Sequence, residues 1–213
     1  MNTKKPAEPI QMVDLITQYQ HIRDEVKMEM DRVLDSAQFI NGPLVREFSE
    51  DLEKYLDVRH VIPCANGPDA LQIVMMGLGL QPGDEVLVPA FTYVATAEVI
   101  ALLKLQPVMV DVDPDTFNVR LEDIESHITP RTKAIVPVHL FGQSADIEDI
   151  VKIADANGLA VIEDNAQAIG AWYNSSDGSK KRTGTMGIAG TTSFFPAKNL
   201  GCYGDGGAIF TND

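Results

Sequence analysis

The chain has 213 residues, 45% of them hydrophobic, enough to bury a core as one large domain or two small ones. Its 17 Lys plus Arg stand against 31 Asp plus Glu, and a net charge of -14 repels a phosphate backbone, which argues against a nucleic-acid binder. Residues 1–10 carry Lys4, Lys5, prolines and Glu8 in place of an apolar secretory signal, no apolar run is long enough for a bilayer, and two cysteines, Cys64 and Cys202, make no disulfide framework. A reducing, cytoplasmic setting is expected.

The whole chain, 1–213, is read as one large domain, with residues 1–45 as an N-terminal helical arm packing on it. Val45, Phe48, Leu52 and Leu56 recur at helical spacing after the Asn41-Gly42-Pro43 turn signal, predicting a helix over 44–56 and then a strand over 60–65. Ala70, Leu71, Val74, Met75 and Leu78 mark a helix ended by Gly79 and the turn at 81–84, with a strand over 85–88. Helices at 96–105, 121–128 and 145–157, the last capped by Gly158, alternate with strands at 107–112, 133–140 and 159–163. Such alternation predicts a parallel α/β fold.

The strand cores Val86-Leu87-Val88, Val108-Met109-Val110, Ala134-Ile135-Val136 and Ala160-Val161-Ile162 are continuously apolar, as in a sheet covered by helices on both faces. Ligands are then expected at the strands' C-terminal ends. Residues 174–183 read as a polar surface excursion, 191–195 as a strand, and Ala208-Ile209-Phe210 as the start of another. With no helix following it, the chain reads as truncated.

Four segments carry candidate chemistry. Lys198 lies in Ser193-Phe194-Phe195-Pro196-Ala197-Lys198-Asn199-Leu200, an apolar setting for a lysine. Desolvation by Phe194 and Phe195 favours the neutral amine, the form that condenses with an aldehyde to a Schiff base. In Val161-Ile162-Glu163-Asp164-Asn165-Ala166-Gln167 an apolar strand runs into acid and amide groups, where a carboxylate can hold a protonated pyridine nitrogen. Asp164 fits this role with Glu163 as competitor; as a plain alternative, Asp164 caps a following helix. Asn66-Gly67-Pro68-Asp69-Ala70-Leu71 is a strand-to-helix turn offering backbone donors to a phosphate, although capping by Asn66 or Asp69, with Pro68 in the first turn, explains the same residues. Pro89-Ala90-Phe91-Thr92-Tyr93-Val94-Ala95-Thr96 places two aromatics at a strand end, suited to stacking on a flat ring or to the core.

Rival chemistries find little support. No G-x-G-x-x-G follows the first strand, since Gly77-Leu78-Gly79 ends a helix, so a nicotinamide enzyme is disfavoured. His21, His60, His127 and His139 show no paired ligand spacing, no metal is expected, and His139 is read as structural or supporting.

In this order, the turn, the aromatic edge, the Glu-Asp-x-x-Gln strand end and the Ser-Phe-x-x-x-Lys-Asn segment resemble the DegT/StrS family of sugar aminotransferases, along essentially the whole chain. The resemblance implies the three-layer α/β large domain of pyridoxal 5'-phosphate enzymes of fold type I, with a mainly parallel sheet and the C-terminal small domain missing. It implies that Lys198 forms the Schiff base and Asp164 pairs with the pyridine nitrogen. Gln167 then contacts the ring hydroxyl, Tyr93 stacks on the ring, Gly67, Pro68, Asp69 and Ser193 hold the phosphate, and Asn199 binds substrate. Position 68 departs from the family, where threonine is usual; Pro68 supplies neither hydroxyl nor N–H.

The implied activity moves an amino group from L-glutamate to a 3-keto or 4-keto group of a nucleotide-linked hexose, for surface-polysaccharide or amino-sugar biosynthesis. The Asn-Gly-x-Asp-Ala-Leu turn points to the 3-keto class. A homodimer with shared active sites is implied, and the lysine at 198 favours transamination over the dehydration of relatives that carry histidine there. The alternative is a truncated non-catalytic fragment or cofactor-binding scaffold of the same fold.

Overall fold

The computed structural model describes residues 10–213; residues 1–9, part of the expected arm and of the N-terminal reading, lie outside the described residues. Two compact units divide between Leu44 and Val45. The first holds α1 (Leu15–Ser36), whose N-terminus is capped by Asp14: its carboxylate accepts from the Thr17 N–H and hydroxyl. Ala37, in the left-handed region at φ 53°, ends the helix by donating its N–H to Leu34 O.

The second unit is built on alternating helices and strands. These are α2 (Pro43–Leu56, entering from the first unit), β1 (His60–Cys64), α3 (Gly67–Gly77), β2 (Glu85–Pro89), α4 (Ala95–Leu102), β3 (Gln106–Val110), α5 (Leu121–His127), β4 (Thr132–Ile135), α6 (Ile147–Asn157) and β5 (Ala160–Asp164). A short hairpin of β6 (Trp172–Asn174) and β7 (Lys180–Arg182) precedes β8 (Ala189–Ser193) and β9 (Gly207–Thr211). The main sheet runs β1-β9-β8-β5-β4-β2-β3. All neighbours from β8 to β3 are parallel, whereas β9 is antiparallel to both β8 and β1. Two antiparallel pairings set β1 parallel to β8, so the C-terminal ends of β1, β2, β4, β5 and β8 share one edge.

The period-two alternation of strands sorts the core into two layers. Val86, Val88, Ala134, Val136 and Ile162 pack with Ala70, Leu71, Val74, Met75, Val99 and Ile100 of α3 and α4. Leu87, Ile135 and Val161, one residue out of phase, pack with Ile124, Ile147, Ile150 and Ala154 of α5 and α6. The expectation of helices on both faces holds for β2, β4 and β5. At β3, the edge strand, α4 and α5 also pack from the two sides, but the cover is incomplete and Met109 is half exposed.

Other departures have local causes. The strand expected over 133–140 stops at Ile135; Pro137 has no N–H, and the chain turns at Leu140–Gly142 with Phe141 at φ 56°. The helix expected over 96–105 ends at Leu102, where Leu103 and Lys104 N–H groups close the last turn and Lys104 takes φ 62°. The polar excursion is the β6–β7 hairpin, turning through Gly178. Gly158 caps α6 at φ 65° as expected.

Candidate active site

Along one sheet edge a cavity of about 940 Å³ opens between strand ends and the α3 N-terminus. That volume suits a cofactor with part of a substrate. Gly67, Pro68, Asp69, Tyr93, Asp164, Gln167, Ser193, Lys198 and Asn199 all line it.

Asp164 ends β5 and is only 6% exposed. Its Oδ2 accepts from the buried Thr96 hydroxyl of α4 at 2.8 Å, and its Oδ1 from the Ala166 N–H at 3.1 Å. Burial pushes its carboxyl above the usual carboxylate range, opposed by the two donors and by the Lys198 charge. No α-helix follows β5, so the carboxylate closes an Asx-type turn and is not a helix cap.

The competitor is placed elsewhere. Ile162 and Asp164 share the α3–α4 face of β5, so Glu163 points to the opposite one. It is fully buried, and its carboxylate accepts from His139 Nε2 at 2.8 Å and from the N–H groups of Gly184, Met186 and Gly187. These donors hold its carboxyl below the usual range against desolvation, which is the largest single influence and acts upward. His139 Nδ1 accepts the Ala145 N–H at 3.1 Å, so the ring proton sits on Nε2, facing Glu163. Both side chains are fully buried and neither lines the cavity.

Lys198 follows β8 in a turn closed by its N–H to Phe195 O at 2.8 Å, and it is half-buried. Its Nζ makes no ion pair or hydrogen bond among the described residues. The apolar surroundings expected of it do not form as foreseen: Phe194 is buried with Leu52, Leu56, Val61 and Phe210 and meets Phe48 edge-on, while Phe195 is half exposed. Of the two aromatics after β2, Tyr93 lines the cavity as a 70% exposed residue, whereas Phe91 packs on Phe117. Gln167 Oε1 accepts the Phe141 N–H at 2.7 Å, leaving its NH₂ as the free donor group.

At the other end, Asn66 caps α3: its Oδ1 accepts the Asp69 N–H at 2.8 Å, and its Nδ2 donates to Asp69 Oδ2. The capping alternative is therefore realised, in the same turn that lines the cavity. A Cβ on Gly67 would sit 2.9 Å from Ser193 Cβ, so only glycine lets the helix approach β8 this closely. Ser193, 8% exposed, accepts the Phe195 N–H on Oγ and keeps its hydroxyl proton to donate. Thr96 and Asp205 also line the cavity, and no sequence motif marks either. Thr96 lies in the segment after β2, but only the α4–β5 contact shows what its hydroxyl does.

An α/β domain with a mostly parallel sheet of this topology has the architecture of pyridoxal-phosphate-dependent aminotransferase structures. The chain belongs to the DegT/DnrJ/EryC1/StrS aminotransferase family, whose model matches residues 20–213. It is 52% identical over 204 residues to the UDP-2-acetamido-2-deoxy-3-oxo-D-glucuronate aminotransferase of Pseudomonas aeruginosa, covering 96% of this chain and 55% of that protein. It superposes on a DegT DnrJ EryC1 StrS aminotransferase from Brucella abortus with a TM-score of 0.91 at 47% identity, covering 96% of this chain and 56% of that one. It also matches NtdA of Bacillus subtilis with bound cofactor PMP (TM-score 0.87, 33% identity, 100% of this chain and 47% of that one). The chain thus spans about half the length of the relatives it matches. Among the described residues, no helix is long and apolar enough to cross a membrane.

Proposed function

We propose that this chain forms the cofactor-binding part of a pyridoxal-phosphate aminotransferase that moves an amino group from L-glutamate to a 3-keto or 4-keto group of a nucleotide-linked sugar. The observation that carries the reading is the pairing of a buried, hydroxyl-held Asp164 with an unpaired Lys198 in one cavity. The named activity of the Pseudomonas aeruginosa relative favours the 3-keto class.

The donor set fits the cofactor's ring end. Asp164 would hold the ring nitrogen, with the Thr96 hydroxyl and the Ala166 N–H fixing its two oxygens. Gln167 NH₂ would donate to the ring hydroxyl, and Tyr93 would cover a ring face. Ser193 and the Gly67-Pro68-Asp69 turn would take the phosphate, with Asn199 facing substrate. When bound, pyridoxal phosphate supplies an electron sink for the carbanion next to the transferred nitrogen. Lys198 Nζ would tether the cofactor and carry the proton between the substrate carbon and the cofactor's aldehyde-derived carbon in both half-reactions. A homodimer with shared sites and a cytoplasmic setting belong to the same proposal.

Added pyridoxal phosphate should turn the chain yellow, Lys198→Ala should abolish that absorbance, and L-glutamate should convert it to the spectrum of pyridoxamine phosphate. Colour without a response to glutamate would favour a cofactor-binding scaffold. No colour would sink the assignment.

A further inference from the structure

A helix N-terminus binds an anion through amides that have no partner within the helix. Of the three α3 amides that lack an intrahelical partner, at Gly67, Pro68 and Asp69, two are out of use. Asn66 Oδ1 takes the Asp69 N–H at 2.8 Å, and Pro68 has no N–H. Gly67 N–H remains, joined across the close Gly67–Ser193 contact by the Ser193 hydroxyl.

Charge adds to the shortage. A phosphate monoester carries roughly -1.5 to -2 at neutral pH. The Asp, Glu, Lys, Arg and His side chains lining the cavity are Asp69, Asp164, Asp205 and Lys198, three acids and one base. Lys198 is already within the electrostatic reach of Asp164 at the ring end. Asp69 stands in the first turn of α3 itself, with Oδ2 tied to Asn66.

We infer that Pro68 makes the α3 N-terminus a single-amide phosphate cradle, so that this chain holds its cofactor chiefly by the ring end and exchanges it readily with free cofactor. The inference rests on the aminotransferase reading above. It separates two forms of one ligand: donors restored at position 68 tighten the binding of pyridoxal phosphate and leave that of pyridoxal, which lacks the phosphate, unchanged.

The test titrates the parent chain, Pro68→Ala and Pro68→Thr with each cofactor form, reading absorbance and, after gel filtration, the fraction of cofactor retained. Pro68→Ala restores one amide and Pro68→Thr an amide and a hydroxyl, each exposed on the cavity wall where no packing opposes the change. One charge-assisted hydrogen bond tightens binding roughly ten- to hundredfold. Pyridoxal phosphate should therefore bind Pro68→Ala and, more strongly, Pro68→Thr at least about tenfold tighter than the parent, with pyridoxal unchanged. Equal phosphate-form affinity across the three chains, or an equal gain with pyridoxal, overturns the inference and leaves the aminotransferase reading standing. Failure of all three chains to bind either form overturns both.

Discussion

Glu163 and Asp164 are adjacent buried acids whose neutral amide replacements should change stability in opposite directions. Glu163 receives four donors, two on each oxygen: His139 Nε2 and Gly184 N–H on Oε2, Met186 and Gly187 N–H on Oε1. Glu163→Gln turns one oxygen into an NH₂, which sets a donor against two donors. At about 1.5–3 kcal/mol for each hydrogen bond to a charged group, the loss should be about 3–5 kcal/mol. Asp164 has one donor on each oxygen, and burial already raises its carboxyl. Asp164→Asn keeps the Thr96 bond, gives up about 1 kcal/mol at Ala166, and removes the cost of a buried charge. The cofactor-free variant should be as stable as the parent at pH 8, or more so.

The pH dependences differ in sign as well. A carboxyl raised in the folded state binds its proton there while the unfolded chain has released it. The parent therefore loses Asp164's share of stability as pH climbs from the usual carboxylate value through the raised one, and the advantage of Asp164→Asn grows over that window. Glu163, held below the usual range, contributes stability that is present above its unfolded value and lost as pH falls through the lower folded one. Urea unfolding of the three cofactor-free chains from pH 8 down to about pH 2 measures both. Equal losses in the two variants at pH 8 would refute the assignment of the two carboxylates to opposite faces.

Gly67→Ala should cost about 1–3 kcal/mol by overpacking against Ser193 and weaken cofactor binding, read by denaturation and absorbance. The control Gly77→Ala, with nothing within 4 Å of the added Cβ, should leave binding unchanged. The Arg182 guanidinium lies 3.7 Å over the Trp172 ring and 4.3 Å over Tyr55, and its NH1 donates to Gly170 O. Arg182→Ala should lower stability by about 1–3 kcal/mol and shift the fluorescence of Trp172, the chain's single tryptophan. Thr96→Val should weaken pyridoxal phosphate binding about tenfold or more while Thr96→Ser restores it, because the hydroxyl and not the methyl holds Asp164.

The layers were legible because burial repeats with the period of each element. Ala70, Leu71, Val74 and Met75 mark the inner face of α3, and the apolar triplets of β2, β4 and β5 mark strands covered on both sides. Met109 shows the limit of that signal. A triplet of apolar residues does not tell an edge strand from a central one, since strand order is set by pairings distant in sequence. The reversal of β9 is hidden for the same reason, as Ala208-Ile209-Phe210 reads alike in either direction.

The candidate site divides along the same line. Side chains on consecutive residues of a strand point to opposite faces, so once β5 is placed, Asp164 and Glu163 cannot both reach the cavity. Which one does depends on the side that α3 and α4 occupy, and that follows from the chain's course from β1 through β2 and not from the Glu-Asp dipeptide. Thr96 stayed hidden because its partner lies 68 residues away. The Phe194-Phe195 pair misled because sequence proximity to Lys198 says nothing of direction: β8 turns Phe194 into the cluster beneath α2, and Phe195 stays half exposed. Pro68 was the most readable element, since a missing N–H is a property of the residue alone. What the structure adds is that Asn66 uses the next amide as well, which turns one absent donor into a nearly empty helix end.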